Sequence, residues 1–67
     1  MITLKVNGKE EKTDKDISIL GFINSKKLNP GKIVIEHNLR IASKKDWEHI
    51  ILNDNDQLEI ISIVSGG

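Results

Sequence analysis

The sequence predicts an α+β fold in which a mixed sheet of four to five strands packs against one helix. Near the N-terminus apolar and polar residues alternate, which is the period of a half-buried strand. The apolar spacing then changes to three or four residues, as in an amphipathic helix. The last segment, Gln57 to Val64, has apolar residues on both faces, which is typical of a strand in the middle of a sheet.

The first predicted element is a β-hairpin. Ile2, Leu4 and Val6 form the apolar side of its first strand, and Asn7-Gly8 is the strongest short signal for a two-residue hairpin turn. The return strand, Lys9 to Thr13, is almost entirely polar. We therefore expect it at a charged edge of the sheet.

A helix is predicted next, with Asp16 as its N-cap and the turn residues Asn29-Pro30-Gly31 after its end. Gly21 lies inside it and costs about 1 kcal/mol relative to alanine. The apolar face of this helix contains Ile17, Ile19, Leu20, Phe22, Ile23 and Leu28.

The second half contains two short strands, a helical turn and a loop. Residues 33–36 form the third predicted strand, and residues 39–42 form a fourth after a tight reversal. Ser43 is followed three residues later by an acid, a capping pattern that begins a helical turn around Trp47. Trp47 is expected to close the core, and residues 53–56 are a dense cluster of turn formers.

A hairpin at the start and a central strand at the end indicate a β-grasp, in which the first and last strands pair in parallel. The whole chain, residues 1–67, is expected to form one domain with a flexible tail at 65–67. Its predicted core contains Leu4, Val6, Ile17, Leu20, Ile23, Ile35, Leu58 and Ile60.

Composition excludes several classes of function. Ten basic and ten acidic residues cancel, and Phe22 and Trp47 are the only aromatic residues, so nucleic-acid binding is not expected. No apolar run is long enough for a membrane span or a signal peptide, and we expect a cytoplasmic protein. The sequence has no cysteine, so any sulfur that the protein handles cannot be on a side chain.

The sequence ends in Gly66-Gly67, directly after the predicted last strand. Glycine has no Cβ, so its backbone can pass through a channel too narrow for a side chain. Ser65 to Gly67 can extend roughly 10 Å, at about 3.3–3.6 Å per residue. This tail could therefore present the carboxylate of Gly67 to a partner's active site, although a frayed terminus without function is the alternative.

The last strand also predicts a docking surface. If Leu58 and Ile60 point inward, Ile61 and Ile63 must point outward, onto a face that no other helix can cover. Exposed apolar side chains on a central strand indicate a protein partner. A dimer or the tail itself could cover them instead, and Lys44-Lys45 is a weaker candidate for docking an acidic surface.

Side chains suited to catalysis or metal binding are few. His37 and His49 lie in separate elements, so no metal site is expected. Glu36 with Asp46 or Asp56 could form a carboxylate pair, but solvated charges at turns are the simpler interpretation. No set of nucleophile, base and orienting group is evident, and we expect no catalytic residue and no enzymatic activity.

Several short features, in this order, resemble the ThiS family of sulfur carriers in thiamine biosynthesis, which has a ubiquitin-like β-grasp fold. They are Val6-Asn7-Gly8, Glu36-x-Asn38, Trp47, Asp56 and Gly66-Gly67, and the resemblance extends over the whole chain.

Three positions depart from the family pattern: Leu39 and Asn55 stand where glycine is common, and Ala42-Ser43 where Val-Pro is common. These departures concern turns and leave the diglycine intact. The small subunit of molybdopterin synthase and other ubiquitin-like carriers share the fold and the diglycine and are alternatives. A β-grasp protein-binding module with an inert terminus is an alternative of another class.

The resemblance implies that Gly67 is the sulfur-carrying residue and that Gly66 and Ser65 are recognised as its tail. An E1-like adenylyltransferase would use ATP and Mg²⁺ to adenylate the carboxylate. A persulfide-bearing donor or sulfide would then supply sulfur, and thiazole synthase would receive it. The protein would be a co-substrate of these enzymes and would bind no cofactor of its own.

Overall fold

The predicted order of elements is present in the computed structural model of the protein, which describes residues 1–63. Val64, predicted as the end of the last strand, and the predicted tail at 65–67 lie outside the described residues. The strands are β1 (Ile2–Val6), β2 (Lys9–Thr13), β3 (Ile33–His37), β4 (Arg40–Ala42) and β5 (Gln57–Ser62), with helix α1 (Ile19–Ser25) and 3₁₀ turns at Pro30–Lys32 and Lys44–Asp46.

The strands form one mixed five-stranded sheet in the order β2-β1-β5-β3-β4. β1 and β5 run parallel, with Lys5 opposite Gln57 and Val6 opposite Leu58. All the other pairs are antiparallel. The predicted β-grasp is confirmed, including the central position of the last strand and the position of β2 at an edge.

The predicted N-cap of the helix is wrong. Helix α1 begins at Ile19, and its N-cap is Ser18, whose hydroxyl oxygen accepts a hydrogen bond from the Gly21 N–H at 3.0 Å. Asp16 instead has a left-handed backbone with φ 63°, which places it in the preceding turn. A Cβ on Gly21 would lie 3.0 Å from Cγ1 of Ile17, so the glycine allows this close contact.

The helix is also shorter than predicted, since it ends at Ser25. Lys27 has φ 59°, a left-handed conformation that cannot continue an α-helix. The turn residues Asn29-Pro30-Gly31 do not terminate α1; they lie in and before the separate 3₁₀ turn at Pro30–Lys32. The Asn29 side chain caps that turn by accepting a hydrogen bond from the Gly31 N–H at 2.9 Å.

The core lies between α1 and one face of the sheet. Five predicted members are buried, whereas Ile17, Leu20 and Ile60 are only partly buried. Because the helix begins after Ser18, its inward side chains differ from the predicted set. The buried apolar residues are Leu4, Val6, Ile19, Phe22, Ile23, Ile33, Ile35, Ala42, Trp47, Leu52 and Leu58.

Trp47 closes the core as predicted. Its ring is buried, and its Nε1–H donates a hydrogen bond to the carbonyl oxygen of Ala42 at 2.8 Å. The turn before it is held by the backbone, since the Asp46 N–H donates to the Ser43 carbonyl at 2.9 Å. The predicted side-chain cap by Ser43 is absent from this part of the structure.

The reversal between β3 and β4 stores backbone strain at Leu39. Asn38 and Leu39 have φ values of 50° and 71°, the left-handed pair that a type I′ turn requires. Asparagine tolerates this conformation, but a leucine there clashes through its Cβ. The Leu39 side chain is 82% exposed and gains little from burial in return.

We expect Leu39→Gly to stabilise the protein by about 1 kcal/mol, because glycine adopts positive φ without a Cβ clash. Leu39→Ala is the matched control: it removes the same exposed side chain but keeps the Cβ, so its stability should stay close to wild type. Urea denaturation of the three proteins measures the difference. Equal gains for glycine and alanine would show that strain at this residue is not the cause.

Candidate docking surface

The end of β5 is hydrogen-bonded on the β3 side, and the first half of the strand is hydrogen-bonded on the β1 side. On the β3 side, Ser62 is opposite Ile33, and the Ile63 N–H donates a hydrogen bond to the Lys32 carbonyl at 2.8 Å. On the β1 side, the Asn7 N–H donates to the Leu58 carbonyl at 2.9 Å. The chain that leads to Gly66-Gly67 therefore starts from a fixed point and direction.

The Asn7 side chain extends the contact between β1 and β5 past the end of the strand pairing. Its amide oxygen accepts a hydrogen bond from the Ile60 N–H at 2.7 Å, and its Nδ2 donates to the Ile60 carbonyl at 3.4 Å. The sequence predicted only the backbone role of Asn7, in the hairpin turn. Because the contact spans 53 positions, no local pattern could have indicated it.

The sheet face away from α1, which we call the outer face, has an exposed apolar group. Ile61 and Ile63 are 45% and 47% exposed, so the predicted outward orientation of both is confirmed. Val34 lies directly opposite Ile61 on β3, and Ile41 on β4 is 65% exposed. The sequence did not assign Val34 and Ile41 to this surface. The docking role of Ile61 and Ile63 stays a prediction.

At the other end of β5, the Asp56 side chain joins two turns through partly buried hydrogen bonds. Its Oδ2 lies 2.8 Å from Nε2 of His37 and accepts from the Asn53 N–H at 2.9 Å. Its Oδ1 accepts from Nδ2 of Asn38 at 3.1 Å. The Asn38 side-chain oxygen in turn accepts from the Gln57 N–H at 2.9 Å. These bonds lock the β3–β4 turn onto the start of β5.

The interpretation of Asp56 as a solvated turn charge is wrong, since the residue is only 8% exposed. Burial acts to raise the pKa of this carboxyl, but the hydrogen bonds from His37, Asn53 and Asn38 and the charge of His37 outweigh it. The pKa of Asp56 is therefore lowered from 3.8. A charged, fully hydrogen-bonded carboxylate of this kind supports the fold.

The remaining candidate side chains are exposed on the surface. Lys44 and Lys45 are exposed, and His49 lies 3.4 Å from Glu48 with both side chains mostly exposed. Within residues 1–63, no group of three or more His, Asp or Glu side chains is arranged to hold a metal ion. Gly66, Gly67 and Ser65, the predicted tail residues, lie outside the described residues. No helix in the described part is both long and apolar enough to cross a membrane.

Comparison with known proteins identifies the family. The sequence profile of the ThiS family matches residues 4–67, nearly the whole chain. The chain belongs to the ThiS family. The match extends to the last residue and so includes the Gly66-Gly67 pair.

The relatives of this ThiS-family chain are of two lengths. It is 38% identical to "uncharacterized protein ycf40" of Trieres chinensis, over 97% of this chain and 89% of that protein. It is also 28% identical to a thiazole synthase of Paramagnetospirillum magneticum, over 96% of this chain. There the match spans only 20% of the thiazole synthase, so this chain corresponds to one part of a longer protein.

A solved structure shows the same fold. The crystal structure of a thiamine biosynthesis protein (ThiS) from Geobacter metallireducens superimposes with a TM-score of 0.86 and 20% sequence identity. The superposition covers 98% of this chain and 100% of that one. The ubiquitin-like β-grasp is thus found in both chains at low sequence identity.

The lowered pKa of Asp56 predicts a specific loss of stability in acid. A carboxyl whose pKa is lower in the folded protein stabilises the fold at pH values above its unfolded pKa. This contribution is lost as the pH falls through the lower native pKa. Asp56→Asn should therefore cost about 1–3 kcal/mol at pH 7, and the gap to wild type should shrink below about pH 4.

Urea denaturation at a series of pH values from 7 to about 2 measures this gap. The exposed Asp14 supplies the control, because Asp14→Asn should follow the wild-type curve closely. A gap for Asp56→Asn that is constant over the whole pH range would contradict the role given to its ionised form.

Proposed function

We propose that this protein is a sulfur carrier for thiazole formation in thiamine biosynthesis. Its Gly67 carboxylate would be adenylated and then converted to a thiocarboxylate. The observation that carries the proposal is the ThiS-family match, which continues through the diglycine to residue 67. The last strand of the sheet, β5, ends at Ser62, and the two glycines follow it in the sequence.

The geometry of β5 supports separate roles for the folded domain, which would bind the partner, and for the tail, which would supply the carboxylate. The strand is hydrogen-bonded to β1 at its start and to β3 along its length, which fixes the position and direction of its last described residues. Four residues follow Ile63, and they can span at most about 14 Å. A partner could therefore bind the outer face and still receive the carboxylate in an active site nearby.

Adenylation makes the carboxylate reactive. At neutral pH an α-carboxylate is an anion, since its usual pKa is about 3.3–3.7, and nucleophiles do not attack it readily. Attack of a carboxylate oxygen on the α-phosphorus of ATP releases pyrophosphate and forms an acyl-adenylate. An E1-like adenylyltransferase would supply the ATP site and Mg²⁺, and this chain would supply only the carboxylate.

Sulfur then replaces the adenylate. Sulfide attacks the carbonyl carbon of Gly67, AMP leaves, and one carboxyl oxygen has been exchanged for sulfur. If a persulfide attacks instead, an acyl disulfide forms, and a thiol must reduce its S–S bond to release the thiocarboxylate. Each step uses enzymes and donors outside this chain, so the protein acts as a co-substrate that is consumed and recycled.

Thiazole synthase is the acceptor that the comparisons favour. In Paramagnetospirillum magneticum a protein of that name contains a part similar to this chain. A second thiazole synthase, from Magnetococcus marinus, is 22% identical over 96% of this chain and again matches in only 20% of its own length. Two domains joined in one protein commonly act in the same process. This favours thiazole formation over molybdopterin synthesis.

The tail prediction is that deleting Gly67, or adding one residue after it, abolishes adenylation and leaves the melting temperature nearly unchanged. The reacting carboxylate would then be displaced by one residue, whereas terminal residues seldom contribute to the stability of a domain. ATP–pyrophosphate exchange with the host's E1-like adenylyltransferase measures activation, and calorimetry measures folding. Wild-type exchange by the extended chain would contradict the proposal.

The docking prediction is that replacing Ile61 and Ile63 together by aspartate weakens binding to this adenylyltransferase by several kcal/mol, because buried apolar anchors can each contribute 2 kcal/mol or more. The fold should be retained, since both side chains are about half exposed. Titration calorimetry measures the affinity.

Ile51→Asp is the matched control for docking. Ile51 is 46% exposed, like Ile61, but its backbone bridges to Ser18 beside α1, away from the outer face. We expect Ile51→Asp to bind the adenylyltransferase with wild-type affinity. Equal losses in both variants would mean that added charge, not the position on the outer face, weakens binding.

A further inference from the structure

The outer face contains two glutamates that lie directly opposite each other in neighbouring strands. Glu36 on β3 is paired with Glu59 on β5 in the antiparallel register. Residues in such a pair point to the same face, with their Cβ atoms about 4.5–5.5 Å apart. Like charges in this position destabilise a sheet. The protein therefore retains an arrangement that works against its own folding.

No cation in the described part of the chain neutralises this pair. Lys5, on the neighbouring strand β1, lies directly opposite Glu10 and Gln57, and is only diagonal to Glu59. Arg40 lies opposite His37, on the other face. The ion pairs within residues 1–63 join other side chains: Lys26 with Glu11, His37 with Asp56, and Glu48 with His49.

Apolar side chains flank the acidic pair. Ile41 on β4 lies directly opposite Glu36, and Ile61 is the next outward residue after Glu59. A partner that covers these isoleucines must also cover the two carboxylates. Removing water strengthens the repulsion between them, because the effective dielectric constant falls. Docking is then favourable only if the partner brings a positive charge.

A second copy of this chain does not meet that requirement. Two outer faces packed together would bring four glutamate carboxylates into one interface, whereas the nearest lysine of each face, Lys5, already lies opposite Glu10. A different protein with a basic side chain among apolar ones fits both features. An arginine suits best, since its planar guanidinium can donate to two carboxylates at once.

We infer that the protein that docks on the outer face places an arginine or lysine between Glu36 and Glu59. This inference rests on the proposed function, which makes the E1-like adenylyltransferase that partner. The repulsion within the free carrier is relieved in the complex. The two glutamates thus lower the stability of the free carrier and raise its affinity for the partner. An experiment can measure these two opposite effects.

The test compares Glu36→Gln and Glu59→Gln with wild type in two measurements. Urea denaturation should show a higher midpoint for each variant, because one of two opposed charges is gone. Binding to the host's adenylyltransferase, followed by titration calorimetry at several salt concentrations, should weaken by about tenfold at low salt. The salt dependence of the affinity should also become shallower than for wild type.

Glu10→Gln is the matched control. It makes the same chemical change in a neighbouring pair of the sheet, but Glu10 lies opposite Lys5 near the β2 edge. Its removal should not raise the urea midpoint, because it deletes an opposite charge, and its affinity should stay within about twofold of wild type.

Unchanged affinity and salt dependence in both Glu36→Gln and Glu59→Gln would overturn the inference. So would a lower urea midpoint in these variants, or a wild-type dimer in sedimentation analysis that the double aspartate variant of Ile61 and Ile63 abolishes. A wild-type protein that binds the enzyme but is not adenylated would instead contradict the proposed function, since the charge inference is decided by binding alone.

Discussion

The contact between one short helix and one face of the sheet is the constraint on which the rest of the structure depends. Helix α1 has seven residues and buries Ile19, Phe22 and Ile23 against the inner face. Strands β1, β3, β4 and β5 contribute buried apolar residues to that face, and Trp47 closes it at the side. Within residues 1–63, no second α-helix covers the outer face. The inner face therefore provides the stability, and the outer face is left available for recognition.

The polar contacts at the two ends of β5 stabilise different features of the structure. At its start, the Asp56 carboxylate is buried with hydrogen bonds from two turns, which fixes the register of β5 against β3. Towards its far end, the Asn7 side chain holds Ile60 and the Lys32 carbonyl holds Ile63. Within residues 1–63, both sets of contacts use side chains or carbonyls from turns that reach past the ends of the neighbouring strands. The proposed carrier chemistry depends on the second of these contacts and only indirectly on the first.

The local sequence pattern predicted β1 and the outward direction of Ile61 and Ile63 from alternation, and it predicted β2 from the Asn7-Gly8 turn. It failed at the helix start, where Asp16 and Ser18 are both good capping residues and only the left-handed backbone of Asp16 decides between them. That two-residue error changed which helix residues were assigned to the core. It also missed the roles of Asn7 and Asp56, whose partners Ile60 and His37 are distant in sequence. That Glu36 lies opposite Glu59 could be predicted only from the register of β3 against β5, which alternation alone does not determine.

The central position of β5 also determines how the protein responds to mechanical force. A partner that holds the C-terminal segment and moves away pulls along the axis of β5. The hydrogen bonds to β1 and β3 lie across that axis, so they share the load and must be sheared together. If the C-terminal segment followed an edge strand instead and were pulled at right angles to it, the hydrogen bonds of that strand would break one at a time. The central position of β5 in this ThiS-family chain thus favours resistance to tension on the C-terminal end of the strand.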